Sequence, residues 1–130
     1  MSRSLIDTNL IIRFLVNDDP KKVLKVEKLL KNPKNKNILL DTVVAEIIWV
    51  LSSYYELQKP EIIEKIRALV QVDSVECNAF LINRALSIWD ENNISYIDGY
   101  LAAVAELGNI SIYSYDEKFK SIPGIKVKIP

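Results

Sequence analysis

Apolar residues along the chain fall into short runs that alternate with longer stretches of helical period. Runs of four to seven residues rich in Ile, Val and Leu are typical of buried strands. The predicted strands are SRSLI at 2–6, ILLD at 38–41, VDSVE at 72–76, and the late segments ISIYSYD and IKVKI.

Between these runs, apolar residues recur at the three- and four-residue spacing of amphipathic helices. Asp19 followed by Pro20 predicts the start of a lysine-rich helix, because aspartate is a favoured N-cap and proline a favoured first residue. Thr42 is the expected cap of the third helix, and Gly108 the expected C′ residue of the last one. The predicted helices are 10–16, 20–31, 43–55, one from Pro60, 79–92 and 97–107.

Short apolar strands alternating with helices indicate a parallel sheet covered on both faces. We therefore predict an α/β fold, a three-layer α/β/α domain. The length of 130 residues and a hydrophobic content of 49% are enough for one core. No linker or repeat interrupts the pattern, so a single domain over 1–130 is expected.

Composition excludes several kinds of chemistry. The chain has no histidine and one cysteine, Cys77, which rules out a Ser/His/Asp triad, a Cys/His zinc site and an intramolecular disulfide. Basic and acidic residues number 17 each, with basic ends around an acidic middle. No apolar run reaches the ~18 residues of a membrane span, which predicts a soluble, cytoplasmic protein without a membrane partner.

Four carboxylates stand where apolar residues are expected. Asp7 follows the first predicted strand and Asp116 follows the fourth. Glu46 is the only polar residue in VVAEIIWVL, and this pattern predicts a helix too apolar to lie on the surface. Asp98 is the only charged residue in YIDGYLAAV. Strand ends and helix starts share the edge of a parallel sheet where sites form.

If these four carboxylates converge, each pair at ~5 Å costs about 3 kcal/mol at an effective dielectric of ~20. A divalent cation relieves that repulsion, and a ligand set of oxygens alone favours Mg²⁺ or Mn²⁺. Such an ion also activates water without a histidine base. The ordinary alternatives are that Asp7 is a helix cap, that Glu46 and Asp98 are stabilised by helix N-terminal amides, and that Asp116 is a turn residue.

The chain resembles a PIN domain over essentially its whole length, and in size and motif order the VapC-type toxin subgroup. The similar segments are LIDTNLIIRFL, VVAEIIWVL, YIDGYLAAVAE and YSYDEKF. Two positions depart from the family pattern. Gly99 stands where alanine is more common, and Ser114 stands where threonine is more common.

The resemblance implies a five-stranded parallel sheet and metal-dependent cleavage of single-stranded or structured RNA. It also implies homodimers and, in this subgroup, a protein antitoxin that blocks the site. Asp7, Glu46, Asp98 and Asp116 would be the catalytic metal ligands. The polar residues that would support them are Thr8, Asn9 and Ser114.

Basic and aromatic residues are candidates for contact with RNA. Arg13, Lys21 and Lys25 are expected to attract phosphates, although a solvated helix face explains most of the lysines equally well. Four tyrosines are candidates for stacking on bases, with packing as the default: Tyr54, Tyr55, Tyr96 and Tyr100. The alternative function is a catalytically silent PIN-like module that docks a basic partner segment. A phosphatase-like domain ranks last, because no second aspartate closely follows Asp7.

Overall fold

The computed structural model describes residues 2–130, which form two compact units, residues 2–78 and 79–130. Each unit contains parallel strands and α-helices, so the predicted α/β class is confirmed. No helix within residues 2–130 combines the length and the hydropathy that a membrane crossing requires.

The first unit alternates strands and helices. Its elements are β1 (Ser2–Leu5), α1 (Thr8–Val16), α2 (Pro20–Lys31), β2 (Asn35–Ile38), α3 (Asp41–Ser53), α4 (Lys59–Val70) and β3 (Val75–Glu76). The strands form a parallel sheet in the order β1-β2-β3, in which Leu5 is paired with Ile38. The second strand begins and ends three residues earlier than predicted, because its NKNI segment pairs with β1.

A buried polar network fixes the middle strand. The Asn37 side chain donates to Ser74 Oγ at 3.1 Å, and that hydroxyl donates to the carbonyl of Leu30 at 2.5 Å. Both polar side chains are buried, and buried polar groups stabilise a fold only when they are hydrogen-bonded. The network therefore joins the end of α2 to β2 and to the turn before β3.

The second unit contains α5 (Ala79–Glu91), α6 (Tyr96–Gly108), β4 (Ile112–Tyr113), a 3₁₀ helix (Glu117–Ser121) and β5 (Val127–Lys128). Strands β4 and β5 are parallel and pair Ile112 with Val127. The expected single five-stranded sheet is not what residues 2–130 form, since the hydrogen bonds give a three-stranded sheet and a separate two-stranded one. Two-residue strands β3 and β4 offer few backbone groups for further pairing.

Helix ends confirm some predicted caps and correct others. Asp19 Oδ1 accepts from the backbone N–H of Lys22 at 3.3 Å, which confirms the predicted start of α2. Helix α3 begins one residue before Thr42 and has no side-chain cap. Gly108 lies inside α6, and Asn109 takes the left-handed conformation that ends it, with φ of 52°. Asparagine tolerates this conformation better than most residues, so it replaces glycine here.

Helix α4 shows the predicted apolar face. The residues buried on it are Ile62, Ile63, Ile66, Leu69 and Val70. Helices α5 and α6 pack against each other, and Gly99 explains the closeness of that contact. A Cβ at position 99 would lie 2.9 Å from the Ala85 carbonyl oxygen and 3.2 Å from Trp89 Cβ. Steric exclusion of a Cβ therefore explains why glycine stands at position 99, where alanine is more common in the family that the chain resembles.

Two glycines of α6 provide a matched test of this packing. We expect Gly99→Ala to lower the free energy of unfolding by about 1–3 kcal/mol, because the new methyl group overpacks the α5–α6 contact. Gly108→Ala meets only Ile110 side-chain atoms at 3.6 Å or more, so it should be neutral or gain up to about 1 kcal/mol from helix propensity. Urea denaturation measures both, and equal effects of the two substitutions would contradict the steric explanation.

Candidate active site

Asp7 lies in the first unit, between β1 and α1. Its Oδ1 accepts from the backbone N–H of Leu10 at 3.0 Å and so caps α1. The strand ladder continues up to it, since the Ile6 N–H donates to the carbonyl of Ile38 at 3.1 Å. The cap uses one carboxylate oxygen, and the side chain is exposed, which leaves Oδ2 for a further partner.

A cavity between α1 and α3 contains several predicted site residues. This α1–α3 cavity has a volume of about 520 Å³ and lies entirely within the first unit. Its lining residues include Thr8, Asn9, Arg13, Asp18 and Glu46, with Tyr54 and Tyr55 at the end of α3. The structure thus brings the two predicted supporting residues of the first motif to the same cavity as the glutamate of the second.

Glu46 is exposed, contrary to the expectation that α3 is too apolar to be a surface element. The helix buries Val44, Ile47 and Ile48 on one face and exposes a stripe that contains Glu46 and Trp49. Because α3 begins at Asp41, Glu46 also lies beyond its first turn. Stabilisation by N-terminal backbone amides, the ordinary alternative for this residue, therefore does not apply.

Asp98 lies in the first turn of α6 and forms a capping box with Ser95. The Ser95 N–H donates to Asp98 Oδ2 at 3.2 Å, and the Asp98 N–H donates to Ser95 Oγ at 3.1 Å. Only 13% of its side chain is exposed. The ordinary alternative for Asp98, a carboxylate held by the helix start, is thus confirmed as a structural role.

Asp116 caps the 3₁₀ helix of the second unit. Its Oδ1 accepts from the backbone N–H of Lys118 at 3.0 Å. Ser114 supports it from the other side, because the Asp116 N–H donates to Ser114 Oγ at 2.9 Å. The serine hydroxyl therefore fixes the turn that presents the aspartate.

Lys118 joins these two aspartates. Its Nζ lies 3.0 Å from Asp98 Oδ2 and 3.1 Å from Asp116 Oδ2, so one ammonium group bridges two carboxylates. We call this arrangement the Lys118 bridge. Lys118 lies two residues after Asp116 in the sequence, but its contact with Asp98, which is distant along the chain, was not predicted.

The Lys118 bridge helps to lower the pKa of both carboxyl groups. Burial raises the pKa of Asp98, but hydrogen bonds from Lys118 and Ser95 together outweigh burial and leave this pKa below its ordinary value. Hydrogen bonds from the backbone and side chain of Lys118 lower the pKa of Asp116. In turn, the two carboxylates raise the pKa of Lys118.

The structure therefore assembles predicted site residues in two places, around the α1–α3 cavity and around the Lys118 bridge. Within residues 2–130, no group of three or more carboxylate, histidine or cysteine side chains is close enough to hold a metal ion. Convergence of all four carboxylates stays a prediction. The donor chemistry nevertheless fits Mg²⁺ or Mn²⁺, because the candidate ligands are all carboxylates. Two of them, Asp98 and Asp116, already share the ammonium group of Lys118.

The predicted RNA-contact residues have different surroundings. Arg13 lines the α1–α3 cavity, and its Nη1 lies 3.2 Å from Asp18 Oδ2. Lys21 and Lys25 are exposed on α2 and line no part of that cavity. A solvated helix face therefore describes the environment of the two lysines, and their contact with RNA stays a prediction.

Comparison with known proteins assigns the family. A sequence model of the PIN domain matches residues 4–125. The chain belongs to the PIN domain family. PIN domains are nucleases that generally use divalent metal ions, so membership supports a hydrolase, and the two units described above are this chain's PIN-like α/β fold.

Solved structures similar to this PIN chain include three toxin systems. One is VapBC2 from Rickettsia felis bound to a promoter DNA fragment, with 19% identity, 98% of each chain covered and a TM-score of 0.43. Another is the Mycobacterium tuberculosis sarcin-ricin loop cleaving toxin VapC20, with 19% identity, 97% and 98% coverage and a TM-score of 0.43. A toxin-antitoxin complex from Klebsiella pneumoniae has 17% identity, 94% coverage of both chains and a TM-score of 0.35. A comparison with curated proteins finds no match.

Removal of the Lys118 ammonium group should change the pKa of Asp98 and the stability of the protein, and both can be measured without a substrate. We expect Lys118→Met to raise the pKa of Asp98 and to lower the free energy of unfolding at pH 7, because burial then acts on this carboxyl without its cationic partner. A carboxyl group whose pKa is lowered on folding stabilises the fold at pH values above its ordinary pKa of 3.8. This contribution is lost as the pH falls through the pKa of the folded state. The difference from wild type should therefore disappear at low pH.

Carboxyl NMR titration and denaturation from pH 7 downward measure these effects. Lys120→Met is the matched control, since Lys120 pairs only with exposed Glu117, at 3.1 Å. A loss of stability that is equal at all pH values would show that Lys118 acts through packing instead of charge.

Proposed function

We propose that this PIN protein is a divalent-metal-dependent endoribonuclease, and the toxin of a toxin-antitoxin pair. The observation that carries the proposal is the Lys118 bridge, in which Asp98 and Asp116 are held side by side, ionised and bound to a shared cation. Neighbouring carboxylates of this kind are what phosphodiester-cleaving metal sites require. Family membership and the four-motif order support the same activity.

In this proposal Asp7, Glu46, Asp98 and Asp116 hold one or two Mg²⁺ or Mn²⁺ ions. When bound, such an ion would lower the pKa of water and neutralise charge on the phosphoryl group. Hydrolysis forms a bond between the water oxygen and phosphorus, breaks the bond to one ester oxygen, and transfers a proton from the water to that departing oxygen.

The chain's own contribution is to position the ligands and to lower the pKa of Asp98 and Asp116. Backbone amides hold Asp7 and Asp116 by one carboxylate oxygen each, which fixes the side-chain orientation without consuming the second oxygen. Ser114 sets the turn before Asp116, and the capping box aligns Asp98. Positioned anions of this kind need no reorganisation during the reaction.

The proposed partners are an RNA substrate, a second copy of the chain and a protein antitoxin. They follow from the resemblance to the VapC-type subgroup. The proposed location is cytoplasmic, as the apolar pattern of the sequence predicts. A small antitoxin-like open reading frame upstream of the gene would support the toxin, and co-expression of the two, followed by size-exclusion chromatography, would test the antitoxin and the homodimer together.

A second candidate function has its own support. The Lys118 bridge shows that the Asp98–Asp116 pair binds an ammonium group, which is also how a silent PIN-like module would dock a basic side chain of a partner. This binding module predicts no hydrolysis and no binding of Mg²⁺ or Mn²⁺.

Cleavage of a mixed RNA pool by purified protein in Mg²⁺, Mn²⁺ or EDTA distinguishes the two functions. We expect cutting only with metal, and a loss of roughly 100-fold or more in Asp98→Asn and Glu46→Gln, because each removes a charged ligand from the reacting centre. Asp90→Asn and Glu64→Gln, two exposed helical carboxylates outside both site regions, should cut like wild type. Absence of cutting by wild type, with no Mn²⁺ bound in calorimetry, would leave the binding module.

A further inference from the structure

A cation of the chain itself already occupies two of the carboxylates proposed to bind a metal ion. The ammonium group of Lys118 lies 3.0 Å from Asp98 Oδ2 and 3.1 Å from Asp116 Oδ2, and all three residues belong to the second unit. The other oxygen of Asp116, Oδ1, accepts from the backbone N–H of Lys118 at 3.0 Å. Lys118 therefore contacts both oxygens of Asp116 and one of Asp98.

A divalent ion would compete with the ammonium group for these oxygens. Mg²⁺ binds carboxylate oxygens at about 2.1 Å, so an ion on either Oδ2 atom would lie at most about 5 Å from Nζ in its present position. Two cations at that distance repel each other, and water screens the repulsion incompletely because only 13% of the Asp98 side chain is exposed. Metal binding to this pair and the Lys118 bridge therefore disfavour each other.

The Lys118 side chain is able to move away from the pair. It is 37% exposed, and a lysine side chain is long and flexible. Besides the two carboxylates, the ammonium group contacts the face of the Phe119 ring, with 5.7 Å between Nζ and the ring centroid. Rotation about the side-chain bonds would carry the charge into water without a change in the backbone.

Other hydrogen bonds hold the two carboxylates in place independently of the Lys118 side chain. The Ser95 N–H donates to Asp98 Oδ2 at 3.2 Å. The Asp116 N–H donates to Ser114 Oγ at 2.9 Å, and Asp116 Oδ1 accepts from a backbone amide. The pair can therefore pass from one cation to another while both carboxylates keep their orientation.

We propose that Lys118 is an exchangeable counter-ion, whose ammonium group holds the Asp98–Asp116 pair in the metal-free protein and leaves it when a divalent ion binds. The inference rests on the proposed function, because it takes this pair as part of the metal site. It adds that the chain regulates its own metal affinity, since only molecules in which Lys118 has moved away bind the ion. A permanent structural ion pair, the alternative, would persist at saturating metal.

Calorimetric titration of the full chain with Mn²⁺ measures the competition. We expect Lys118→Met to bind Mn²⁺ about tenfold more tightly than wild type, because the variant has no ammonium group to displace. Lys118→Arg keeps the charge and pairs with carboxylates through a rigid fork, so its affinity should not exceed that of wild type. Lys120→Met is the matched control. It removes a neighbouring charge that pairs with Glu117 at 3.1 Å, and it should change the affinity by less than about twofold.

A second measurement uses the wild-type protein and does not depend on the folding of a variant. Proton–nitrogen correlation NMR records the ammonium signals of the lysine side chains during titration with Mg²⁺, which is diamagnetic. We expect the Lys118 signal to change to that of a solvated lysine as Mg²⁺ binds, while the Lys120 signal stays unchanged. A Lys118 signal that is unaltered at saturating Mg²⁺ would overturn the inference, and so would equal Mn²⁺ affinities of wild type and Lys118→Met.

These outcomes are separable from the proposed nuclease activity. Metal binding with an unaltered Lys118 signal and equal affinities would keep the metal site and remove the counter-ion role. Mn²⁺ binding by Lys118→Met alone, with a wild type that neither binds metal nor cuts RNA, would keep the competition and remove the nuclease. Absence of metal binding by both proteins would remove the metal site and the counter-ion role together.

Discussion

Two carboxylates at close range require a shared cation, and the second unit is organised to meet that requirement. Asp98 comes from the start of α6 and Asp116 from the turn after β4. Lys118 supplies the cation from the first turn of the 3₁₀ helix, with both contacts near 3 Å. Without the ammonium group, burial would raise the pKa of Asp98, and the repulsion between the two carboxylates would be uncompensated.

Helix capping and metal ligation are compatible roles for the same aspartates. Asp7 and Asp116 each give one carboxylate oxygen to a backbone amide, and Asp98 completes a capping box. A cap holds the carboxylate against a helix start, where the positive end of the helix dipole also favours its charge. The same hydrogen bonds that stabilise the fold therefore hold a potential ligand in a defined orientation, and at Asp98 and Asp116 they also lower the pKa. The sequence alternatives of cap or ligand are thus not exclusive.

The first unit contributes a different kind of surface. Its α1–α3 cavity combines an exposed glutamate, a paired arginine, an unsatisfied hydroxyl and an exposed aromatic ring. Positive charge lies elsewhere, on the exposed face of α2, where Lys21 and Lys25 are available to a nucleic acid backbone through long-range attraction.

The sequence by itself determined the α/β class, most helix positions and the identity of the unusual carboxylates, because caps and apolar periodicity act within a few residues along the chain. The start of α2 at Pro20 and the buried face of α4 are direct examples. Only the tertiary structure decided the pairing of the strands into two sheets, the exposure of Glu46 and the contact of Lys118 with Asp98. Each of these depends on residues far apart in sequence, whose approach is set by packing such as the close α5–α6 contact at Gly99.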